Sequence, residues 1–206
     1  MQTRAAVLRQ SPGEWEIHTV ELDPPKAHEV LVRLVASGLC HSDDHFATGD
    51  IPPGHLPFCG GHEGAGVVEA VGPGVTAVAV GDHIVTSFMP SCGRCRWCAS
   101  GLQTLCDNGK ALATGQPLEI AALYQKRIQG SICGMMNPHA DVPRLLTLWQ
   151  TGQLKLEELI TRTYPLDEIN QGYADMRAGL NLRGVLRLGE PPAVAGSGVR
   201  AVEVHA

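Results

Sequence analysis

Aromatic side chains are scarce in this chain of 206 residues: three Trp, three Tyr and three Phe, 4% in all. No run of Lys and Arg exceeds two residues, and the formal net charge is −5. A basic face for nucleic acid or an anionic membrane surface is therefore not expected. Apolar runs all fall short of the ~20 residues that a membrane-spanning helix needs. The opening stretch, MQTRAAVLRQSPGEWEIHTV, lacks both an apolar h-region and a cleavage site, so a cytoplasmic protein is expected. In such a reducing compartment disulfides are disfavoured, and the seven cysteines point to metal or catalysis.

What is abundant is apolar residues, at 44%, together with 24 Gly and 14 Pro. The length suits one large domain or two small ones at ~100–200 residues each. Scarce aromatics with frequent turn formers favour a β protein over a helical bundle. Short strands are read in RAAVLRQ, EWEIHTVEL, EVLVRLVASG, GAGVVEAVGPG and GDHIVTSFM, separated by turn signals such as Ser11-Pro12-Gly13 and Gly72-Pro73-Gly74. That rhythm predicts an antiparallel barrel or sandwich. After residue 140 the period changes. Asp141 is placed to N-cap a helix with Pro143 in its first turn, Leu145, Leu146, Leu148 and Trp149 as the apolar stripe, and Gly152 at its end. A second helix is predicted from Asp167 to Gly179 with Ile169, Tyr173 and Met176 buried, followed by a closing strand, RGVLRL. Residues 189–206 carry Pro, Gly and Ala without period and read as a disordered tail.

The sharpest local signal is CGRCRWCASGLQTLC, in which Cys92, Cys95, Cys98 and Cys106 form C-x2-C-x2-C-x7-C. Four thiolates so spaced can close a tetrahedron around Zn2+, as a structural site with no displaceable ligand. The bacterial ferredoxin pattern ends in C-x3-C-P, which this spacing does not match. A second cluster is LCHSDDH at 39–45, a thiol, two imidazoles, a hydroxyl and two carboxylates in seven positions. Cys40 is a candidate metal ligand with His62 of GGHEGAGVVEAVG as its partner. The glycines beside His62 would allow close approach to an ion. By themselves, a Cys and a His so far apart are weak evidence, since a lone Cys is more often a core thiol and a lone His a hydrogen-bonded core imidazole.

GLCHSDDH, GHEGAGVVEAVGPGV, VGDHIV and CGRCRWCASGLQTLC, in this order and spacing, resemble the zinc-dependent medium-chain alcohol dehydrogenases. ITRTYPLDEINQGYADMRAG and LRGVLRL resemble the last stretch of the same family. The resemblance covers about residues 1–112 and 118–188. It implies a mainly β fold with α: a GroES-like β-barrel catalytic domain over 1–112, with a zinc-knuckle lobe at 90–108. A C-terminal return of that domain over 131–188 brings the helices. It implies that Cys40 and His62 are catalytic-zinc ligands and that Glu63 is the carboxylate behind that zinc. Ser42 resembles the hydroxyl that hydrogen-bonds the substrate alcohol, and His45 the outer proton relay. His41 and Arg183 match positions that contact the cofactor pyrophosphate. Cys92, Cys95, Cys98 and Cys106 match the structural-zinc ligands. The implied chemistry is oxidation of a small alcohol to an aldehyde or ketone. Zn2+ lowers the pKa of the alcohol, Ser42 and His45 carry its proton away, and NAD(P) accepts hydride.

The resemblance also implies something this sequence lacks. The family places a Rossmann domain between the zinc knuckle and the C-terminal helices. Here only DNGKALATGQPLEIAALYQKRIQGS lies between them, with 113–130 as a shortened junction. Two stretches have G-x-G spacing, at Gly72 and at Gly196, but neither is set to open a helix, so both read as turns. The absent block would carry the third catalytic-zinc ligand, a cysteine. Cys59, Cys133 and Glu63 are the substitutes weighed, and Glu63 is preferred because carboxylate oxygen ligates zinc. The expected molecule is a zinc-binding member of the family with weak or no activity by itself and atypical self-association. Two alternatives remain: a chain that borrows a cofactor domain from a partner, and a non-enzymatic GroES-like binding module.

Overall fold

A computed structural model of the chain describes residues 1–89, 91–108 and 133–190. The junction at 113–130, the Gly196 stretch, the side chain of Cys133 and the predicted tail beyond Glu190 lie outside the described residues.

The N-terminal half begins with β1 (Gln2–Leu8), β2 (Trp15–Glu21) and β3 (Val30–Gly38). A helix, α1 (His41–Thr48), then precedes the two-residue strand β4 (Phe58–Cys59). β5 (Gly64–Val71), β6 (His83–Val85) and the one-turn helix α2 (Arg96–Ala99) complete this half. The return comprises α3 (Pro138–Gln150), β7 (Ile160–Pro165), α4 (Ile169–Arg177) and β8 (Arg183–Arg187). The mainly β fold with α that the sequence implies is the fold observed, and each predicted strand is present. Gly72-Pro73-Gly74 is indeed a turn, held by Gly72 N–H donating to Glu29 O (2.8 Å) and His28 N–H donating to Pro73 O (2.9 Å). The chain runs from there to β6 without a helix.

The strands divide between two sheets, β2-β1-β4 and β6-β5-β3-β8-β7. β1 pairs antiparallel with β2 from Gln2↔Glu21 to Leu8↔Trp15. β3 pairs antiparallel with β5, with register shifts at Leu31/Val32 and Leu34/Ala36 that bend the strand. The strand pairs within the first hundred residues are antiparallel, as the turn rhythm predicts; the return adds a parallel pair. β7 and β8 run parallel, with Thr163↔Val185 and Tyr164↔Leu186 in register. Parallel neighbours need a crossover, and α4 supplies it.

Burial explains why the two ends of the chain fold together. Leu8 and Trp15 from the first sheet pack with Leu39 and Ala47 at α1 and with Tyr164, Ile169, Tyr173 and Leu186 from the return. Trp15 lies with its ring centroid 6.2 Å from both Phe58 and Tyr173, stacked on the latter. Ile169 and Tyr173 are buried as their spacing predicts, and Met176 packs against the same core. A second, smaller core gathers Val68, Val78 and Ile84 beneath β5 and β6.

One expectation about α3 needs correction. The helix starts at Pro138, one turn before Asp141, with Asn137 at its N-cap. Asp141 serves the start from inside, its carboxylate accepting the Asn137 N–H at 2.7 Å, because a carboxylate one turn in can reach the free N–H groups. Leu145, Leu148 and Trp149 of its apolar stripe are exposed, as are Leu159, Ile160, Leu180 and Leu182. Among the described residues no helix is long and apolar enough to cross a membrane.

Candidate functional site

LCHSDDH runs into the helix α1. Cys40 sits at the N-cap of α1 in extended conformation (φ −113°, ψ 140°), its carbonyl accepting from Asp43 N–H (3.1 Å) and Asp44 N–H (3.3 Å). The preceding residue is pinned to β8 by Leu39 N–H donating to Gly184 O at 3.1 Å. Ser42, Asp43 and His45 therefore leave the first turns of one helix on set bearings.

His62 arrives from the loop before β5. Gly61 at φ +105° makes the turn that brings it in, a conformation costly for any residue with a Cβ. Gly60 is needed for a different reason from the one expected of these glycines. A Cβ there would lie 2.5 Å from Trp15 Cη2, so the close approach is to the core ring. The Thr86 hydroxyl ties down the same loop, accepting from Gly64 N–H and donating to His62 O, both at 2.7 Å.

The result is a convergence of donor atoms. Ligand atoms of Cys40, His62 and Glu63 all lie within 4.8 Å of one another. Ser42 Oγ sits among them, 3.2 Å from Cys40 Sγ and 3.3 Å from His62 Nε2. Behind the imidazole lies Asp43, which sequence reasoning passed over. It is 3% exposed, its Oδ1 accepts the Gly61 N–H at 3.0 Å, and its Oδ2 stands 3.3 Å from His62 Nδ1. That buried oxygen has no well-aligned hydrogen bond of its own. Chiefly through Asp43, and against the effect of burial, the His62 pKa rises from 6.5 to about 9, with Cys40 adding to the rise. A carboxylate on Nδ1 leaves Nε2 as the coordinating nitrogen, the usual arrangement behind a metal-bound histidine. Asp43 lies three residues after Cys40, and it escaped notice because the helix that aims it at His62 was not read from the sequence.

Glu63 and Arg183 meet. Arg183 Nη1 donates to Glu63 Oε2 at 2.8 Å and to Leu39 O at 3.2 Å. His45 is one turn further along α1, its Nδ1 3.2 Å from Asp50 Oδ2. The His41 ring lies 6.4 Å from that of His45. Cys59 lies on β4, where partial burial of its thiol, and next the negative charge of Asp43, raise its pKa. It does not belong to the convergent set, which among the described residues contains Cys40, His62 and Glu63.

The second centre is the cysteine lobe. The sulfurs of Cys92, Cys95, Cys98 and Cys106 lie within 4.8 Å of one another, and all four are free thiols. Backbone N–H groups point at them: Cys92 N–H donates to Cys106 Sγ and Cys95 N–H to Cys92 Sγ, each at 3.3 Å. Such donors favour thiolate. N–H groups of Cys98 and Asp107 bring the Cys95 pKa down to about 6, and those of Arg94 and Cys95 lower that of Cys92. Burial first, and Cys95 next, push Cys98 up to about 12. A buried thiol of that kind gives up its proton when a cation takes its place. Four sulfurs without an open position fit a closed, structural Zn2+ site, while thiolate, imidazole and carboxylate beside a hydroxyl fit an open one.

Residues 26–144 match the family model described as the alcohol dehydrogenase GroES-like domain. The chain belongs to the alcohol dehydrogenase family. The NDMA-dependent alcohol dehydrogenase of Amycolatopsis methanolica is 38% identical over 209 residues, covering 98% of this chain and 54% of that protein. The chain thus spans about half the length of this curated relative. The putative alcohol dehydrogenase D of Mycobacterium tuberculosis is 27% identical over 367 aligned positions, covering 90% of this chain and 100% of the relative. That is more positions than this family member has residues, so the relative carries stretches with no counterpart here. The fold also matches the alcohol dehydrogenase zinc-binding domain protein of Burkholderia ambifaria (TM-score 0.79, 20% identity, 92% of this chain and 100% of that one).

Proposed function

We propose that this chain is the alcohol-activating, zinc-binding part of a zinc-type alcohol dehydrogenase, with weak or no turnover by itself. The observation that carries this reading is the convergence of Cys40, His62 and Glu63 around Ser42 Oγ. Cys40 and His62 would hold a catalytic zinc, with Glu63 as the third candidate, and Cys92, Cys95, Cys98 and Cys106 a structural one. The catalytic ion supplies a Lewis acid that lowers the pKa of an alcohol hydroxyl. Ser42 Oγ, beside both ligand atoms, is placed to take that hydroxyl's proton and pass on its own. His45, 44% exposed in its side chain, is the outlet to water. His41 and Arg183 are the cofactor-facing residues. The whole reaction proposed is a small alcohol going to an aldehyde or ketone, with NAD(P) as hydride acceptor, in the cytoplasm.

Weak turnover by itself is supported by the shortness of the stretch between the cysteine lobe and the return, and by relative D's additional positions. The test is a metal count and a calorimetric titration with NAD and NADH on one sample. About two zinc per chain, with no nicotinamide saturation in the micromolar range, is expected. Micromolar binding with steady ethanol oxidation by the chain alone would overturn the second half of the proposal. Zinc absent from both centres would overturn the first.

A second reading, in which the cofactor-binding part comes from another chain, draws on the exposed apolar residues Leu145, Leu148, Trp149, Ile160 and Leu182. Turnover that appears only after a Rossmann-bearing protein is added would select it.

A further inference from the structure

We infer that Asp50 is a positioning residue for His45: it fixes the imidazole with its proton on Nδ1 and leaves Nε2 bare to receive a proton. Four observations carry this. First, His45 Nδ1 lies 3.2 Å from Asp50 Oδ2. Second, the carboxylate is itself held, since Thr48 Oγ1 donates to the same oxygen at 2.7 Å. Third, the backbone is shaped to deliver it. α1 ends on Gly49 in the left-handed conformation (φ +85°), and both Gly49 N–H and Ile51 N–H donate to His45 O at 3.1 Å. The chain therefore folds back over the last turn and sets residue 50 beside residue 45. Fourth, hydrogen bonds from Thr48 first and His45 next hold the Asp50 carboxyl below its ordinary value, so it is ionised at neutral pH.

The tautomer follows from donor and acceptor capacity. An ionised carboxylate can only accept, and Oδ2 is the atom in contact, so the ring nitrogen facing it must be the donor. A neutral imidazole has one N–H, and spending it on Asp50 leaves the lone pair on Nε2. The neutral ring in water prefers the opposite tautomer, with the proton on Nε2. Asp50 thus changes which nitrogen is ready to accept. His41, whose ring lies 6.4 Å away, is the other titratable ring in contact with His45.

The functional weight of this arrangement rests on the reading of His45 as a proton outlet, but the tautomer itself does not. The experiment separates the two. Nitrogen-15 spectra of the histidine-labelled, zinc-loaded full chain would be recorded at a pH where His45 is neutral, with His45→Gln to assign the resonances. The wild-type ring is expected to carry its proton mainly on Nδ1. Asp50→Ala should reverse the majority to Nε2–H, and Thr48→Val, which loosens the same carboxylate, should move the population the same way by less. A wild-type ring already protonated on Nε2 overturns the inference without recourse to any variant, as does an unchanged spectrum in a folded Asp50→Ala chain. Failure of the dehydrogenase reading would appear elsewhere, as no alcohol oxidation even with a cofactor domain supplied, and would leave the tautomer result standing.

Discussion

Asp43 holds two neighbours at once, the Gly61 N–H and the His62 ring, and both are in the loop that delivers the imidazole. Its replacement by Asn should therefore alter chemistry more than fold. In metal-free protein the His62 midpoint should fall from about 9 towards 6.5, as measured by proton NMR. Because the folded value is raised, the His62–Asp43 pair stabilises the metal-free fold fully below pH 6.5, and that contribution is lost as pH rises through about 9. Zinc runs the opposite way. It needs the neutral ring, so affinity at this centre should climb across the same interval, with proton release on binding. Asp43→Asn should weaken zinc by about 10- to 100-fold in a chelator competition, the usual loss when a partner of a ligating histidine is removed. At Glu63 the competing charge is Arg183. Arg183→Met should free the carboxylate for the ion and tighten zinc at that centre, and a weaker affinity would count against Glu63 as a ligand.

The cysteine lobe is held by α2, a single turn, and by side chains whose chemistry asks for an ion. Cys98→Ala should lower bound zinc by one per chain and expose the amides of 91–106 to hydrogen exchange, while those of β1 and β2 stay protected. Exchange that quickens equally in β1 and β2 would mean that the lobe supports the whole fold. Elements were legible in the sequence to differing degrees, for physical reasons. β1, β2, β3 and β5 announced themselves through alternation and turn chemistry, and α4 through a buried face that tertiary packing honours. α1 was missed because His-Ser-Asp-Asp-His-Phe-Ala-Thr has little apolar periodicity; its start is fixed by the Cys40 carbonyl and by β8, a distant strand. β7 was missed because its partner is parallel and its outer residues are exposed, so no alternation marks it. The stripe on α3 was legible as apolar, but not what would cover it, since periodicity cannot say what lies over a face. The cysteine spacing was enough to single out four sulfurs that the fold does gather. The other centre needed the fold to bring residues 40, 62 and 63 together.

For the molecule as a whole, the decisive arrangement is the shared core. Leu8 and Trp15 meet Tyr164, Tyr173 and Leu186 in one cluster, so the first sheet and the return should unfold together. Leu186→Ala should cost ~2–5 kcal/mol and shift one cooperative denaturant transition that reports both Trp15 fluorescence and far-ultraviolet dichroism. Separate transitions would show that the two parts fold independently. The exposed residues on α3 contribute little to that balance. Leu145→Gln with Leu148→Gln should change stability by only about 0.5 kcal/mol, while reducing self-association in sedimentation, since apolar patches of this sort drive contact.

The position of β8 in its sheet has a further consequence, for synthesis. It lies between β3 and β7 and pairs with β3 through Ala36↔Arg187 and Gly38↔Val185. While a ribosome is still making the middle of the chain, β3 has an unpaired edge, and Cys40 just beyond it lacks the strand that anchors its neighbour Leu39. Zinc met at that stage would find the four cysteines of the lobe already translated but the Cys40 centre unbraced. On the proposed two-zinc reading, the ions should therefore be acquired in order, that of the cysteine lobe during elongation and that of the Cys40 centre only after strand β8 has emerged and seated.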